Sequence, residues 1–186
     1  MPRIIAGTAR GIRLSTPKGL ETRPTADGRK EAIFSSIQFE IPESRFLDLF
    51  AGCGAAGLEA LSRGAAEAVF VESGREAASC IRENMRRTRL TGRIFAEDVL
   101  AALDRLAAEG SRFDIVFMDP PYHQGYEALV TQALARLDLV ADGGLVVIES
   151  AADTEVEVPE GFREVRCKQY RVTKFTMWRK NRGEET

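Results

Sequence analysis

The sequence predicts an α/β protein with a Rossmann-like, mostly parallel and doubly wound sheet that ends in an antiparallel hairpin. Short apolar runs rich in β-branched and aromatic residues, such as residues 113–118, alternate with longer helical patterns. A glycine-rich loop separates the first core strand from the helix that follows it. The last two predicted strands, at about 163–168 and 172–179, are joined by a short turn, which favours antiparallel pairing.

The first 44 residues are predicted to form an extension to this sheet. Two short strands around residues 3–7 and 11–15 flank a glycine-containing turn. A basic, turn-rich stretch follows, and it is too polar to pack in a core. Asp27 is then predicted to cap a helix that runs to about Phe39.

The remaining residues, 45–186, are predicted to form the core domain. They show no internal repeat, low-complexity segment or linker. Before the hairpin, the predicted elements in chain order are strand 45–50, helix to 63, strand 68–72, helix 75–89, strand 93–98, helix 99–109, strand 113–118, helix 126–137 and strand 143–149.

Composition excludes several classes of protein. Hydrophobic residues make up 44% and charged residues 29% of the 186, which is ordinary for a globular domain. No window reaches the roughly 18 apolar residues that a membrane span needs. Three widely spaced cysteines and the single histidine, His123, make neither a disulfide framework nor a metal site. We therefore expect a metal-free protein of the reducing cytoplasm.

The net charge of −2 conceals a strong segregation of charge along the chain. Residues 1–30 carry a net charge of +5 and residues 163–182 carry +7, whereas residues 31–162 carry −12. Charge runs are often plain solvated surface. Two basic ends around an acidic middle are better explained if both ends contact a polyanion such as RNA.

The tetrapeptide Asp-Pro-Pro-Tyr at residues 119–122, here called the Asp-Pro-Pro-Tyr turn, follows the apolar strand 113–118 directly. Two prolines end the strand and stiffen the backbone. Ligands of open α/β sheets bind at the carboxyl ends of strands. There, the Asp119 carboxylate and the Pro120 carbonyl can accept hydrogen bonds from an exocyclic amine, and Tyr122 can stack on a base.

Glycines 52, 54 and 57 fit the G-x-G-x-x-G spacing between a strand and a helix. Gly52 and Gly54 allow a tight turn and close approach to a ligand, and Gly57 allows the helix to pack closely on the sheet. Glu72 ends the next strand, where it can accept both hydroxyls of a ribose. This pattern alone fits a nicotinamide dinucleotide as well as another adenosine ligand.

Asp48 favours S-adenosylmethionine over a dinucleotide. It lies inside the first core strand, where a buried carboxylate needs a partner. An amino-acid ammonium group or a donor-rich loop would supply one, whereas a pyrophosphate would be repelled. Asp98 can bind an adenine amino group and the backbone at Val99 a ring nitrogen, while Asp98 also suits the N-cap of helix 99–109.

In sequence, the chain resembles the RsmD-type guanine-N2 methyltransferases of bacterial 16S rRNA. The resemblance covers nearly the whole chain, and the phrases that carry it are residues 3–7, 22–27, 31–34, 47–65 and 119–122. It implies a seven-stranded methyltransferase sheet with an N-terminal β-hairpin extension. It also implies S-adenosylmethionine as cofactor, a guanine of small-subunit rRNA as target, an assembling 30S particle as context, and a monomer.

The resemblance assigns roles residue by residue. The sequence departs from the family pattern at residues 28–30, at Ser35 and at Arg171, which bears on RNA contacts rather than on the chemistry. Catalytic roles fall on Asp119, Pro120 and Tyr122. Cofactor contacts fall on Asp48, Phe50, Gly52, Gly54, Gly57, Glu72, Asp98 and Val99. RNA contacts fall on Arg3, Arg10, Arg13, Lys18, Arg23, Thr25, Arg29, Lys30 and Arg171.

Three other functions fit parts of the pattern. An adenine-N6 methyltransferase of DNA or RNA would use the same turn, because the turn suits any exocyclic amine. A NAD-dependent dehydrogenase or a non-catalytic RNA-binding relative would explain the glycine loop. Asp48, and the lack of a proton-relay residue other than His123, argue against hydride chemistry.

Overall fold

The computed structural model describes residues 2–18 and 24–183. They contain five helices and seven strands. Numbered along the chain, the strands are β1 (Arg45–Leu49), β2 (Glu67–Val71), β3 (Arg93–Phe95), β4 (Phe113–Met118), β5 (Val140–Ala151), β6 (Phe162–Gln169) and β7 (Thr173–Lys180). The strands form one mixed sheet in the order β3-β2-β1-β4-β5-β7-β6. This confirms the predicted fold class. The chain divides into two compact units, with Glu97 ending the first and Asp98 beginning the second. The predicted boundary between an extension and a core at residues 44 and 45 stays a prediction.

The first unit contains three parallel strands and three helices. Its strands pair in the order β3-β2-β1, and β1 is buried at four of its five positions. Near-continuous burial fits the apolar sequence of strands that are covered on both faces. The elements are α1 (Pro24–Ser36), β1 (Arg45–Leu49), α2 (Ala55–Ser62), β2 (Glu67–Val71), α3 (Arg75–Thr88) and β3 (Arg93–Phe95).

The second unit contains two helices and four strands. Strand β5 pairs in parallel with β4 and antiparallel with β7, and β6 pairs antiparallel with β7, as the predicted hairpin requires. Strand β6 is an edge strand that stays exposed at seven of eight positions. The elements are α4 (Val99–Ala108), β4 (Phe113–Met118), α5 (Tyr126–Arg136), β5 (Val140–Ala151), β6 (Phe162–Gln169) and β7 (Thr173–Lys180).

The N-terminal segment, residues 2–18, differs in detail from the prediction. Its two arms pair through a single antiparallel bridge between Arg3 and Arg13, flanked by the bonds Ile4 N to Ile12 O and Leu14 N to Pro2 O, rather than through two regular strands. The arms are short because the segment makes most of its remaining hydrogen bonds to α2 and α3 instead of to itself.

Helix α1 begins at Pro24, three residues before the predicted cap at Asp27. Proline suits the first helical position because its missing N–H has no partner there in any helix. The helix also ends at Ser36 rather than at Phe39. Among the described residues, no helix is both long and apolar enough to cross a membrane.

Candidate active site

The glycine loop, residues 50–57, follows β1 in the first unit and turns through three residues with positive φ. These are Phe50 (φ 58°), Gly52 (φ 56°) and Gly54 (φ 81°), and Gly54 is the N-cap of α2. Glycine adopts this conformation without steric cost, whereas for phenylalanine it is rare. The strain at Phe50 is held by a hydrogen bond from Ala51 N to Val71 O of β2 at 3.0 Å.

Gly57 lies where α2 packs on β2, as the spacing predicts. A Cβ atom at this position would lie 2.3 Å from the Phe70 ring, well inside van der Waals contact. Gly54 is less crowded, since its Cβ would lie 3.3 Å from Phe70 and Ile81. Glycine at position 57 therefore sets the distance between helix and sheet, and with it the position of the loop.

Asp48 is 2% exposed, and its Oδ2 accepts a hydrogen bond from Gly57 N at 2.8 Å. Of the two partners that the sequence allowed, the donor-rich loop is therefore present in the protein itself. Burial raises the pKa of Asp48 to about 8, although the Gly57 N–H opposes that shift. The carboxyl is thus mostly protonated at neutral pH, so charge repulsion of a pyrophosphate is a weaker argument than the sequence suggested.

Glu72 holds the same loop from the end of β2. Its Oε2 accepts from Gly52 N at 2.7 Å, and its Oε1 accepts from Gly74 N at 2.7 Å. Each carboxylate oxygen has a second lone pair, so both remain able to accept a ribose hydroxyl. Contact of Glu72 and of the loop glycines with a cofactor stays a prediction.

Asp98 begins the second unit and caps α4. Its Oδ1 accepts from Leu100 N at 2.9 Å and from Ala101 N at 3.4 Å, which is the N-cap role that the sequence allowed. The residue is exposed, while the neighbouring Val99 is buried. The second carboxylate oxygen can accept from an adenine amino group, and that contact also stays a prediction.

The Asp-Pro-Pro-Tyr turn begins where the buried strand β4 ends. Ile115 to Met118 are all at most 6% exposed, whereas Asp119, the next residue, is exposed. Pro120 is buried, so the turn is anchored on its apolar side while the carboxylate faces outward. The structure therefore presents the Asp119 side chain at the surface of the second unit instead of pairing it in the core.

Tyr122 is half-buried, and its hydroxyl donates to Oε1 of Glu149 near the end of β5 at 3.3 Å. The His123 ring lies edge-on to it, with ring centroids 6.5 Å apart. Sequence analysis missed Glu149. The signal was available, because Glu149, like Glu72 and Asp119, is an acidic residue at or near the carboxyl end of a mostly buried strand.

The predicted RNA-contacting residues fall into groups. Arg29 is half-buried, Arg23 lies outside the described residues, and the side chain of Thr25 is likewise outside them. Lys30 differs most from the prediction: its side chain is 12% exposed, 3.9 Å from Glu59 Oε2, and it donates to Arg3 O at 3.4 Å. Arg3, Arg10, Arg13 and Lys18 are exposed on the N-terminal segment, and Arg171 is exposed in the β6–β7 turn.

Two buried polar side chains that sequence analysis missed hold the N-terminal segment in place. Glu59 of α2 accepts from Ile5 N at 2.8 Å and from Ala6 N at 3.1 Å. Asn84 of α3 exchanges two hydrogen bonds with the backbone of Ser15 and donates a third to Cys53 O in the glycine loop at 2.9 Å. The signal for Glu59 was a lone acid in an otherwise small and apolar helix.

Comparison with known proteins finds the same architecture and related sequences. The family model described as "Conserved hypothetical protein 95" matches residues 2–179. The putative methyltransferase yhhF of Escherichia coli superposes with a TM-score of 0.87 at 31% identity, over 98% of this chain and 99% of that one.

Two curated relatives carry names that describe an activity. The putative rRNA methyltransferase YlbH of Bacillus subtilis is 35% identical over 96% of this chain and 98% of its own length. Ribosomal RNA small subunit methyltransferase D of E. coli is 35% identical over 81% of this chain and 75% of its own length. These matches confirm the resemblance seen in the sequence: the chain belongs to the RsmD family of methyltransferases, which the matching model describes as Conserved hypothetical protein 95.

Proposed function

We propose that this protein transfers a methyl group from S-adenosylmethionine to the exocyclic N2 of a guanine in small-subunit rRNA. The observation that carries this proposal is the exposed Asp119, which follows a strand buried at five of its six positions and precedes two prolines. Membership of the RsmD family, and the names of the relatives in it, support rRNA as the substrate class.

The first unit fits the methionine and ribose parts of the cofactor. A loop with backbone N–H groups, two carboxyls directed at it, and no Cβ at Gly52, where the space is open, can approach a ligand closely. Glu72 would accept the ribose hydroxyls, and Asp48 would gain a cationic partner in the ammonium group. Asp98 and Val99 would bind the adenine. When bound, the cofactor supplies an electrophilic methyl group on a sulfonium.

This methyl transfer requires little general acid or base catalysis from the protein. The amine lone pair of guanine is delocalised into the ring, so it must be localised on nitrogen before it can attack. Asp119 and the Pro120 carbonyl would accept the two amine hydrogens, which favours a pyramidal nitrogen with its lone pair directed away from them. Tyr122 would stack on the target base after it leaves its helix, with the Glu149 bond fixing the ring.

The RNA contacts in this proposal are electrostatic. Arg3, Arg10, Arg13 and Lys18 are exposed on a segment whose backbone is fixed by Glu59 and Asn84. We propose that residues up to 44 form the RNA-contacting extension and that these side chains bind phosphates without selecting a sequence. Arg29 and Arg171 would add to them, whereas Lys30 stabilises the extension through Glu59.

Nucleoside analysis tests the proposal directly. Purified protein is incubated with small-subunit particles or their rRNA and labelled S-adenosylmethionine, and the RNA is digested to nucleosides. Labelled N2-methylguanosine is the expected product. Labelled N6-methyladenosine would instead identify the adenine-N6 alternative. Stabilisation of the protein by NAD but not by S-adenosylhomocysteine in thermal unfolding would refute both.

A further inference from the structure

A cleft in the second unit lies away from the Asp-Pro-Pro-Tyr turn and is lined almost wholly by cationic side chains. Its volume is about 610 Å³, and it is lined by Gly143, Arg163, Arg179, Lys180, Asn181 and Arg182. No carboxylate is among these residues. We name it the cationic cleft, and we propose that it binds phosphate groups of the RNA substrate at a second site, apart from the target base.

The strand register brings two of these arginines together. Arg163 of β6 is directly opposite Arg179 of β7 in the antiparallel ladder. Side chains in such pairs share one face with Cβ atoms about 5 Å apart, and like charges there destabilise the sheet. Arg182 extends the group, because its Nε lies 3.3 Å from where a Cβ of Gly143 would be. A bound polyanion would offset the positive charge that these side chains bring to one face of the hairpin.

Lys180, a further cation that lines the cleft, has two acidic partners within the protein. Lys180 pairs with Asp138 and with Asp142, the latter at 3.2 Å, and it donates to Val140 O at 3.0 Å. Arg179 donates one N–H to Gly143 O at 2.8 Å, which orients its guanidinium group. A guanidinium group has five N–H donors in a planar fork that matches phosphate oxygens. The cleft thus has the chemistry of a phosphate site with arginine as the recognising residue.

The position of the cleft favours a long polyanion over a free phosphate. Gly143 is near the start of β5, while Glu149, the partner of Tyr122, is near its end, six residues and about 20 Å along the strand. Arg166 and Lys168 face the same side as Arg163, since their partners in the register are Met177 and Phe175. Exposed cations therefore run along β6 from the cleft to Arg171 in the β6–β7 turn.

The assignment of RNA as the ligand of the cationic cleft rests on the proposed function, because RNA is the inferred substrate of this protein. The test compares the double variant Arg163→Gln/Arg182→Gln with Arg86→Gln/Arg136→Gln in the full-length protein. The control removes the same charge from exposed helix positions that are paired with Glu83 and Asp104. We expect the cleft variant to bind small-subunit rRNA about tenfold more weakly, and its log K against log salt slope to fall by about 1.5. In the control variant, neither the affinity for rRNA nor the salt slope should change.

Further measurements separate the outcomes. Tripolyphosphate should raise the Tm of the wild type and of the control, but not of the cleft variant. S-adenosylhomocysteine affinity should be unchanged in all three proteins. Loss of the tripolyphosphate effect with unchanged RNA binding would identify a small-anion site and overturn the RNA assignment. If neither changes, the cleft is not an anion site.

Wild-type protein gives an independent check should the double variant fold poorly. Hydrogen exchange with and without rRNA should show protection of backbone amides at residues 162–164 and 180–182, and absence of that protection would refute the proposal. Failure of the proposed function has a different signature: a methylated base other than guanine leaves these binding results intact. If the cleft variant forms N2-methylguanosine normally and its salt slope is unchanged, the RNA-binding role of the cleft is refuted while the proposed function stands.

Discussion

The carboxyl groups at the strand ends do different work in the two units. In the first unit, Asp48 and Glu72 both accept hydrogen bonds from backbone amides of the glycine loop. In the second unit, Asp119 is exposed and is followed by two prolines, which stiffen the backbone directly after it. The comparison teaches that a loop of flexible glycines is held by side-chain acceptors, whereas the backbone that follows Asp119 is stiffened by its own prolines.

Asp119→Ala tests the catalytic side of this comparison and has the largest expected effect. Because the proposed role of this exposed side chain is to bind the amine and not the cofactor, kcat should fall about 10²- to 10⁴-fold while cofactor affinity stays within about tenfold. Stopped assays with rRNA and calorimetry with S-adenosylhomocysteine give the two values. Asp104→Ala, at a 66% exposed site on α4, is the matched control and should retain full activity. A collapse of cofactor affinity in Asp119→Ala would refute the assigned role.

Gly57→Ala tests how the glycine loop of the first unit is held in position. Alanine normally stabilises a helix relative to glycine, but here its Cβ would lie 2.3 Å from the Phe70 ring. Overpacking of this kind costs about 1–3 kcal/mol, which lowers the Tm by roughly 3–10 °C and displaces the loop, so cofactor affinity should fall as well.

Gly28→Ala in α1 provides the control for that substitution. No atom lies within 4 Å of its added Cβ, so the Tm should stay unchanged or rise slightly. An equal response of the two variants in thermal unfolding would show that helix propensity, and not the contact with Phe70, determines the outcome.

Asp48→Asn tests how the buried carboxyl of the first unit makes stability depend on pH. The pKa of Asp48 is raised to about 8 in the folded protein, so the folded state binds a proton that the unfolded chain releases above about pH 4. The contribution of Asp48 to the free energy of unfolding of the wild type is therefore fully present below about pH 4 and is lost as the pH rises towards 8. Asparagine does not titrate, so the Tm of the variant minus that of the wild type should increase by on the order of 10 °C across this window. A difference that is flat with pH would show that Asp48 is ionised at neutral pH.

Tyr122→Phe has the smallest expected effect. The hydroxyl bond to Glu149 is long, at 3.3 Å, and the aromatic face that would stack on the base is retained. The rate should fall by no more than about threefold. Tyr122→Ala removes the face and should cost far more in the Michaelis constant for RNA, so equal losses in the two variants would refute the stacking role.

The local parts of the candidate site could be predicted from the sequence because short-range rules decide them. Glycines at 52, 54 and 57, the strand break after Met118 and the N-cap at Asp98 all depend on residues a few positions apart. The antiparallel pairing of β6 with β7 was equally accessible, because a short turn joins the two strands. By contrast, the helix start at Pro24 was missed because a weak local signal, proline at the first turn, competed with a stronger cap residue.

By itself, the amino-acid sequence determined the order of strands and helices, the family and the residues available for chemistry. Only the tertiary structure decided how those residues are used. It buried Glu59 against the backbone of Ile5, 54 positions away, and Asn84 against the backbone of Ser15, 69 positions away. It also paired Lys30 with Glu59, and it raised the pKa of Asp48 by removing water from around the carboxyl. It also placed Arg163 opposite Arg179, through a register that shifts between Glu164 and Arg166. Such contacts depend on packing between distant segments, and no periodicity along the chain encodes them.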